Sequence, residues 1–322
     1  MCVICRGEVI AETQHLYCGC CPYLVEIPVI PGLLTLNCEY CPNLVSISII
    51  PGLQKLDCRG CLHLTEIPVI PGLLYLMCAG CPKVNAIPVI PGLTDLYCNF
   101  CASLEEIPII PGLLVLHCCM CPKLVSIPVI PGLSVLYCFE CPLLQTIAVI
   151  PGLSVLYCSR CPLLEEIPLI TSLRSIYCDG CTKLTEIPMI PGLGNLSCDG
   201  CELITEIPAI LSLIILSCRD CPKLVSIPAI PGLTDITCSN CRFLLDIPIH
   251  PNFFRLEYNN CPWVSLNPEF PSRVMSVQIM QRRFRKRQRN RAMFVYWRLY
   301  RKYPKIPSEL LSEIMSWVLL LP

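Results

Sequence analysis

The chain has 322 residues, 54% of them apolar and 15% charged, a balance that excludes disorder over most of its length. Its formal charge is zero, yet residues 272–322 hold 12 Lys and Arg against 2 Asp and Glu, while residues 1–271 hold 12 against 22. An acidic body therefore carries a basic tail, and no uninterrupted apolar run approaches the roughly 20 residues needed to cross a bilayer.

Residues 1–20 read as a worn copy of a pattern that recurs downstream. Ile4, Ile10 and Leu16 keep its apolar register, Thr13 stands where later copies carry Leu, and the Pro-Gly pair is missing. Terminal copies are expected to be atypical, because one side must meet water. The stretch Cys2-Val3-Ile4-Cys5 resembles the opening of a RING-type zinc finger, but the His and later Cys pairs of that pattern do not follow. It is therefore read as part of an end cap, and no metal is assigned. No charged segment precedes an apolar one here, so no secretory signal is expected.

Twelve units of 20 residues then fill residues 21–260 without a slip in register. This is the mark of a solenoid, in which each unit is one coil. In residues 133–138, Leu133, Leu136 and Cys138 recur in other units as apolar residues or Cys, while positions 135 and 137 vary. The alternation predicts a short strand with one buried face. Pro128 and Pro131 exclude a helix on the return path, since each lacks an N–H and clashes with a preceding turn. The return IPVIPG is expected to be extended and close to polyproline II, with Pro131-Gly132 turning the chain into the next strand. Strands stacked about 4.8 Å apart then give one parallel sheet in a curved rod roughly 60 Å along its stacking direction.

Aligned as L-x-x-L-x-C-x-x-C-P-x-L-x-x-I-P-x-I-P-G, the unit resembles a leucine-rich repeat of the short 20-residue class, with Cys141 where that family places Asn or Cys. The IP-x-IPG return is similar to that of bacterial effector repeats, and the Cys-Pro-rich wording resembles repeat proteins of giant DNA viruses of amoebae. The resemblance implies a repeat solenoid with one parallel β-sheet on the concave face, a polyproline-like convex side and protein binding on the concave face. Here that body spans residues 21–270, after the worn repeat 1–20 and before a short α-helical tail.

Twenty-nine cysteines without an export signal imply an intracellular, reducing setting and free thiols, in cytoplasm or nucleus, of a host cell if the chain is viral. Thirteen lie in the column Cys21 to Cys261 and twelve in the column Cys18 to Cys238. Cys138-x-x-Cys141 and its counterparts match zinc-ribbon spacing. The competing reading places both thiols inward, one in the strand core and one capping the bend. It is preferred, because sulfurs on successive coils surround a cation only with distortion. No cofactor is assigned.

The outward strand positions carry the candidate partner-binding site. Tyr97, His117, Tyr137, Tyr157 and Tyr177 occupy one column, and Val115, Val135 and Val155 lie two residues earlier. On neighbouring parallel strands they form an aromatic and apolar stripe suited to a protein segment. The alternative is that Tyr simply suits a strand surface and was duplicated with it.

From His250 the pattern decays into a C-terminal cap. Residues 271–305 are free of Gly and rich in Arg after Pro271, and a long helix is expected there. Its basic centre holds Arg282, Arg283, Arg285, Lys286, Arg287, Arg289 and Arg291. Three readings stand: docking on the acidic body, nucleic-acid binding or nuclear localisation, and a calmodulin-type target. Residues 306–322 resemble the opening of an F-box through Pro307, Leu310, Leu311 and Ile314. That resemblance implies docking on the adaptor of a cullin ubiquitin ligase, although an F-box is about three times longer. An amphipathic helix starting at Pro307 is the alternative.

No catalytic constellation is expected, since His15, His63, His117 and His250 lie on distant units. A binding scaffold is the leading expectation, with a substrate receptor for a cullin-type ubiquitin ligase as its finer form. A cysteine-rich metal-binding structural protein and a nucleic-acid-associated protein are the alternatives. No membrane partner is expected.

Overall fold

A computed structural model describes residues 2–7, 13–248 and 255–261. The expected helical tail, its basic patch, the F-box-like segment and His250 lie outside these residues.

Thirteen strands of three residues each form one parallel sheet, beginning with His15–Tyr17 and Thr35–Asn37 and ending with Asp235–Thr237 and Arg255–Glu257. Each pairs with the strand 20 residues away in an unbroken register, so that Val135 faces Val115 on one side and Val155 on the other. The first strand shows that the worn unit already contributes a paired coil. The strands are shorter than the six-residue alternating segment: only Val135–Tyr137 of residues 133–138 is strand.

The core explains the period. In the coil 141–160 the inward residues are Cys141, Leu144, Ile147, Ile150, Leu153, Leu156 and Cys158, all essentially inaccessible. Their spacing is three residues everywhere except across the strand, where it is two. Three per turn is the repeat of polyproline II and two that of a strand. One coil thus combines both with a single inward row. No coil could bury that row alone; its neighbours complete the cover.

Two turns close each coil. At Ile130-Pro131-Gly132-Leu133, the Leu133 N–H donates to the Ile130 carbonyl at 3.2 Å, and Gly132 has φ +93°. Pro at the second position and a left-handed Gly at the third define a type II turn. The other bend follows the strand. Its last residue is left-handed in every coil, whether Gly80 or Phe100, Met120, Glu140 and Arg160. Its N–H donates to the next coil, as from Glu140 to the Ser159 carbonyl at 2.8 Å. The demand for that bond holds non-Gly residues in a disfavoured conformation.

On the return path, proline decides where a second sheet can form. Glu26–Ile27 pairs with Ser46–Ile47, and Ser126–Ile127 with Thr146–Ile147. In these two pairs the usual Pro of the later coil is replaced by Ser48 or Ala148. The freed N–H groups donate to the carbonyls of Ile27 and Ile127, each at 2.9 Å. Pro128 and its counterparts have no hydrogen to offer.

Candidate functional site

The in-register sheet carries equivalent side chains outward at strand spacing, and flat rings on such a lattice must stack. Ring centroids lie 4.5 Å apart between Tyr97 and His117, 4.1 Å between His117 and Tyr137, 4.5 Å between Tyr137 and Tyr157, and 4.2 Å between Tyr157 and Tyr177. Tyr75, from the neighbouring column, adds a tilted ring 5.2 Å from Tyr97. The five column residues and Val115, Val135 and Val155 are brought together as one stripe. Each is half-buried, because its neighbours cover its faces. Tyr edges and Val side chains remain accessible.

The stripe has polar borders. Toward one end the same columns hold Thr35, Asn37, Lys55 and Asp57, with Met77 between these and Tyr97; toward the other they hold Asn195, Ser197, Ser217, Asp235 and Thr237, interrupted by Ile215, which is 45% exposed. Around these run ion pairs and hydrogen bonds, including Arg59 Nη2 to Asp57 at 3.1 Å and Ser217 Oγ to Asp199 at 2.7 Å. Burial lowers the pKa of His117, opposed by the negative charge of Asp95, and so favours its neutral ring within the stack. Burial raises that of Tyr157 to about 12, reinforced by hydrogen bonding with Tyr177.

A second exposed stripe escaped sequence reasoning. Val29, Ile49, Val69, Val89, Ile109, Val129, Val149, Leu169 and Met189 stand outward on consecutive return segments. Val129 is 44% exposed while Ile127 is 1% and Ile130 0% exposed. The signal was the threefold spacing, which puts the residue between two inward Ile positions on the outside.

The thiols fall into two kinds. In most coils the second cysteine donates its S–H to a carbonyl of the coil before, as Cys141 does to Cys118 at 3.2 Å. This supplies a donor at a bend whose carbonyl has no strand partner. The first cysteine is core: burial raises the pKa of Cys98, Cys118 and Cys138 well above the usual thiol range. At the His15–Tyr17 edge the pattern differs. Cys5 Sγ lies 3.6 Å from both Cys2 Sγ and Cys21 Sγ. Burial pushes the Cys21 thiol up, but N–H donation from Cys2 and Tyr23 and hydrogen bonds from the Cys5 and Cys2 thiols outweigh it, bringing its pKa down to about 7. Among the described residues, this is the one group of three or more metal-ligand side chains with mutually adjacent donor atoms.

No protein-family model matches the chain, and no curated protein matches it. Among solved structures it is similar to a leucine-rich repeat protein from Bacteroides ovatus, at 15% identity and a TM-score of 0.36, over 67% of this chain and 74% of that one. The architecture rests on this chain's own ladder. It is a parallel β-solenoid of 20-residue coils. No helix among the described residues is long and apolar enough to cross a membrane.

Proposed function

We propose that the chain is a non-catalytic scaffold of leucine-rich-repeat type that binds a protein segment on the outer face of its long sheet. The observation carrying this reading is the distribution of side chains along that face. An aromatic and valine centre spans Tyr97 to Tyr177, with Asp95 and Ser175 at its end strands and, Met77 and Ile215 apart, mainly charged and hydroxyl residues beyond. An apolar, Tyr-rich middle inside a polar rim is the anatomy of a protein interface. The histidines fit this reading: His15, His63 and His117 stand on separate coils, His63 Nδ1 lies 2.7 Å from the Pro42 carbonyl, and His117 stacks between Tyr97 and Tyr137.

The test is capture of partners from native cells by the full chain and by a Tyr137→Ala, Tyr157→Ala double variant. Selective loss of a specific partner supports the assignment. Unchanged capture by a variant that keeps its far-ultraviolet spectrum removes it from this face.

The finer reading, a substrate receptor for a cullin ubiquitin ligase, rests on Pro307, Leu310, Leu311 and Ile314. Co-purification of the F-box adaptor, abolished by Leu310→Ala with Ile314→Ala, is its expected signature. Nucleic-acid association through Arg282 to Arg291 is the alternative for the tail. Salt-dependent binding to DNA of unrelated sequence would favour it.

A further inference from the structure

The cysteine cluster at the His15–Tyr17 edge is the one place among the described residues where three cysteine sulfurs all lie within 4.8 Å of one another. The coil thiols are sealed in the core, and the second of each pair reaches a backbone oxygen 3.0–3.3 Å away, from Cys41 to Cys261. Cys2 and Cys5 are only half-buried, and their sulfurs point at each other and at Cys21. A fourth thiol, Cys18, interacts with Cys2 but lies outside the tight group of three. In sequence these four are Cys2-x-x-Cys5 and Cys18-x-x-Cys21, two knuckle-spaced pairs with twelve residues between them.

We propose that Cys2, Cys5, Cys18 and Cys21 form a tetrathiolate site for one zinc ion, which fastens residues 2–7 to the edge coil. Metal–sulfur bonds of about 2.3 Å in a tetrahedron place the sulfurs about 3.8 Å apart. The two separations of 3.6 Å need only a slight expansion to accept the ion, and Cys18 Sγ moves in to complete the set. A disulfide would require the same atoms to close to about 2.05 Å.

The surroundings are also those of a thiolate site. The Cys2 N–H donates to Cys21 Sγ at 3.4 Å, and further N–H groups of Tyr23 and Ile4 are directed at Cys21 and Cys18. Backbone donors of this kind orient ligand sulfurs and moderate their charge. The turn carrying Cys2 and Cys5 is already formed. Arg6 N–H bonds to the Cys2 carbonyl at 3.1 Å and Gly7 N–H to that of Ile4 at 3.0 Å, with Gly7 left-handed at φ +68°. An all-sulfur tetrahedral set selects zinc or iron among common divalent ions, and zinc suits a closed site with no redox role. Binding releases the four thiol protons to solvent and leaves a unit of net charge −2.

The experiment uses the full chain, purified under reducing conditions without a metal-binding tag. Elemental analysis should find roughly one zinc per chain, as a closed four-cysteine site implies. Cys2→Ser with Cys5→Ser should remove it, and Cys20→Ser, which alters an exposed thiol beside the cluster, should not. Cobalt exchanged into the wild-type chain should give thiolate charge-transfer and tetrahedral ligand-field bands that vanish in the double variant. Absence of metal, iron in its place, a Cys2–Cys5 disulfide in the reduced preparation, or zinc unaffected by the double variant would each overturn the assignment. The cobalt spectrum reads the wild-type chain and does not depend on the variants folding.

Discussion

Tyr157 and Tyr177 stack with their ring centroids 4.2 Å apart and their planes 3° from parallel. The contact follows from their pairing in register on adjacent strands, so it belongs to the folded chain before any partner arrives. Under the proposed function the stripe has two roles that mutation can separate. Tyr137 touches a ring on either side, and stacked pairs contribute about 0.5–1.5 kcal/mol each. Tyr137→Ala should lower stability by about 1–3 kcal/mol in urea unfolding, whereas Tyr137→Phe keeps the stack and should change it little. Equal stability of the Ala variant would show that the rings support nothing but a binding surface.

His117 makes the stack sensitive to acid. Its folded pKa lies below the ordinary value of about 6.5, because burial disfavours the charged ring, with Asp95 opposing. Between the two values the unfolded chain holds more protons, so stability falls as pH drops through about 6.5 and below. Burial raises the carboxyl pKa values of Asp57 and Asp199 and gives their contribution the opposite sign. The comparison of wild type with His117→Tyr isolates the histidine. The variant should lose less stability between neutral and mildly acidic pH, and parallel curves would refute the account.

The core thiols set an alkaline limit. For Cys98, Cys118 and Cys138, burial holds the folded pKa far above the unfolded value. Their contribution is intact below about pH 8.5 and is lost as pH rises beyond it. Thermal unfolding should move steadily lower above that point. In native chain at neutral pH, alkylating reagents should label Cys20, the exposed thiol, well before any coil cysteine. Mass mapping of the labelled peptides checks this directly.

The bend after each strand offers a backbone test. Phe100 sits at φ +58° with its side chain 56% exposed, so Phe100→Gly relieves a left-handed residue at little cost in burial. A gain of up to about 1 kcal/mol is expected. Gly80, at φ +69°, has only ordinary contacts waiting for a Cβ. Gly80→Ala should therefore lose about 1 kcal/mol through its backbone alone.

Much of this was legible in the chain because the signals repeat. The alternation around Leu136, the Pro131-Gly132 turn and the inward pair Cys138 and Cys141 each depend on local spacing, and the structure places all of them as that spacing implies. The ring column was legible as a set of residues, but its half-burial was not. That depends on ring geometry between coils, which no single unit contains. Cys2 and Cys5 were legible as a knuckle-spaced pair but were read as part of an end cap: among 29 cysteines, a degenerate first unit gives no reason to group them with Cys18 and Cys21. Val129 was ambiguous for a third reason, since residue type alone does not tell an outward Val from its inward Ile neighbours.

Strict register has a genetic consequence. Val135 stands between Val115 and Val155, and every inward side chain likewise meets its equivalent one coil away. Excision of residues 121–140 would bring Val115 against Val155 and leave a joint like any other. Unequal recombination between such copies can lengthen or shorten the displayed face while preserving the interior. A deletion one residue short of a full coil would instead break the spacing on which the next coil's burial depends.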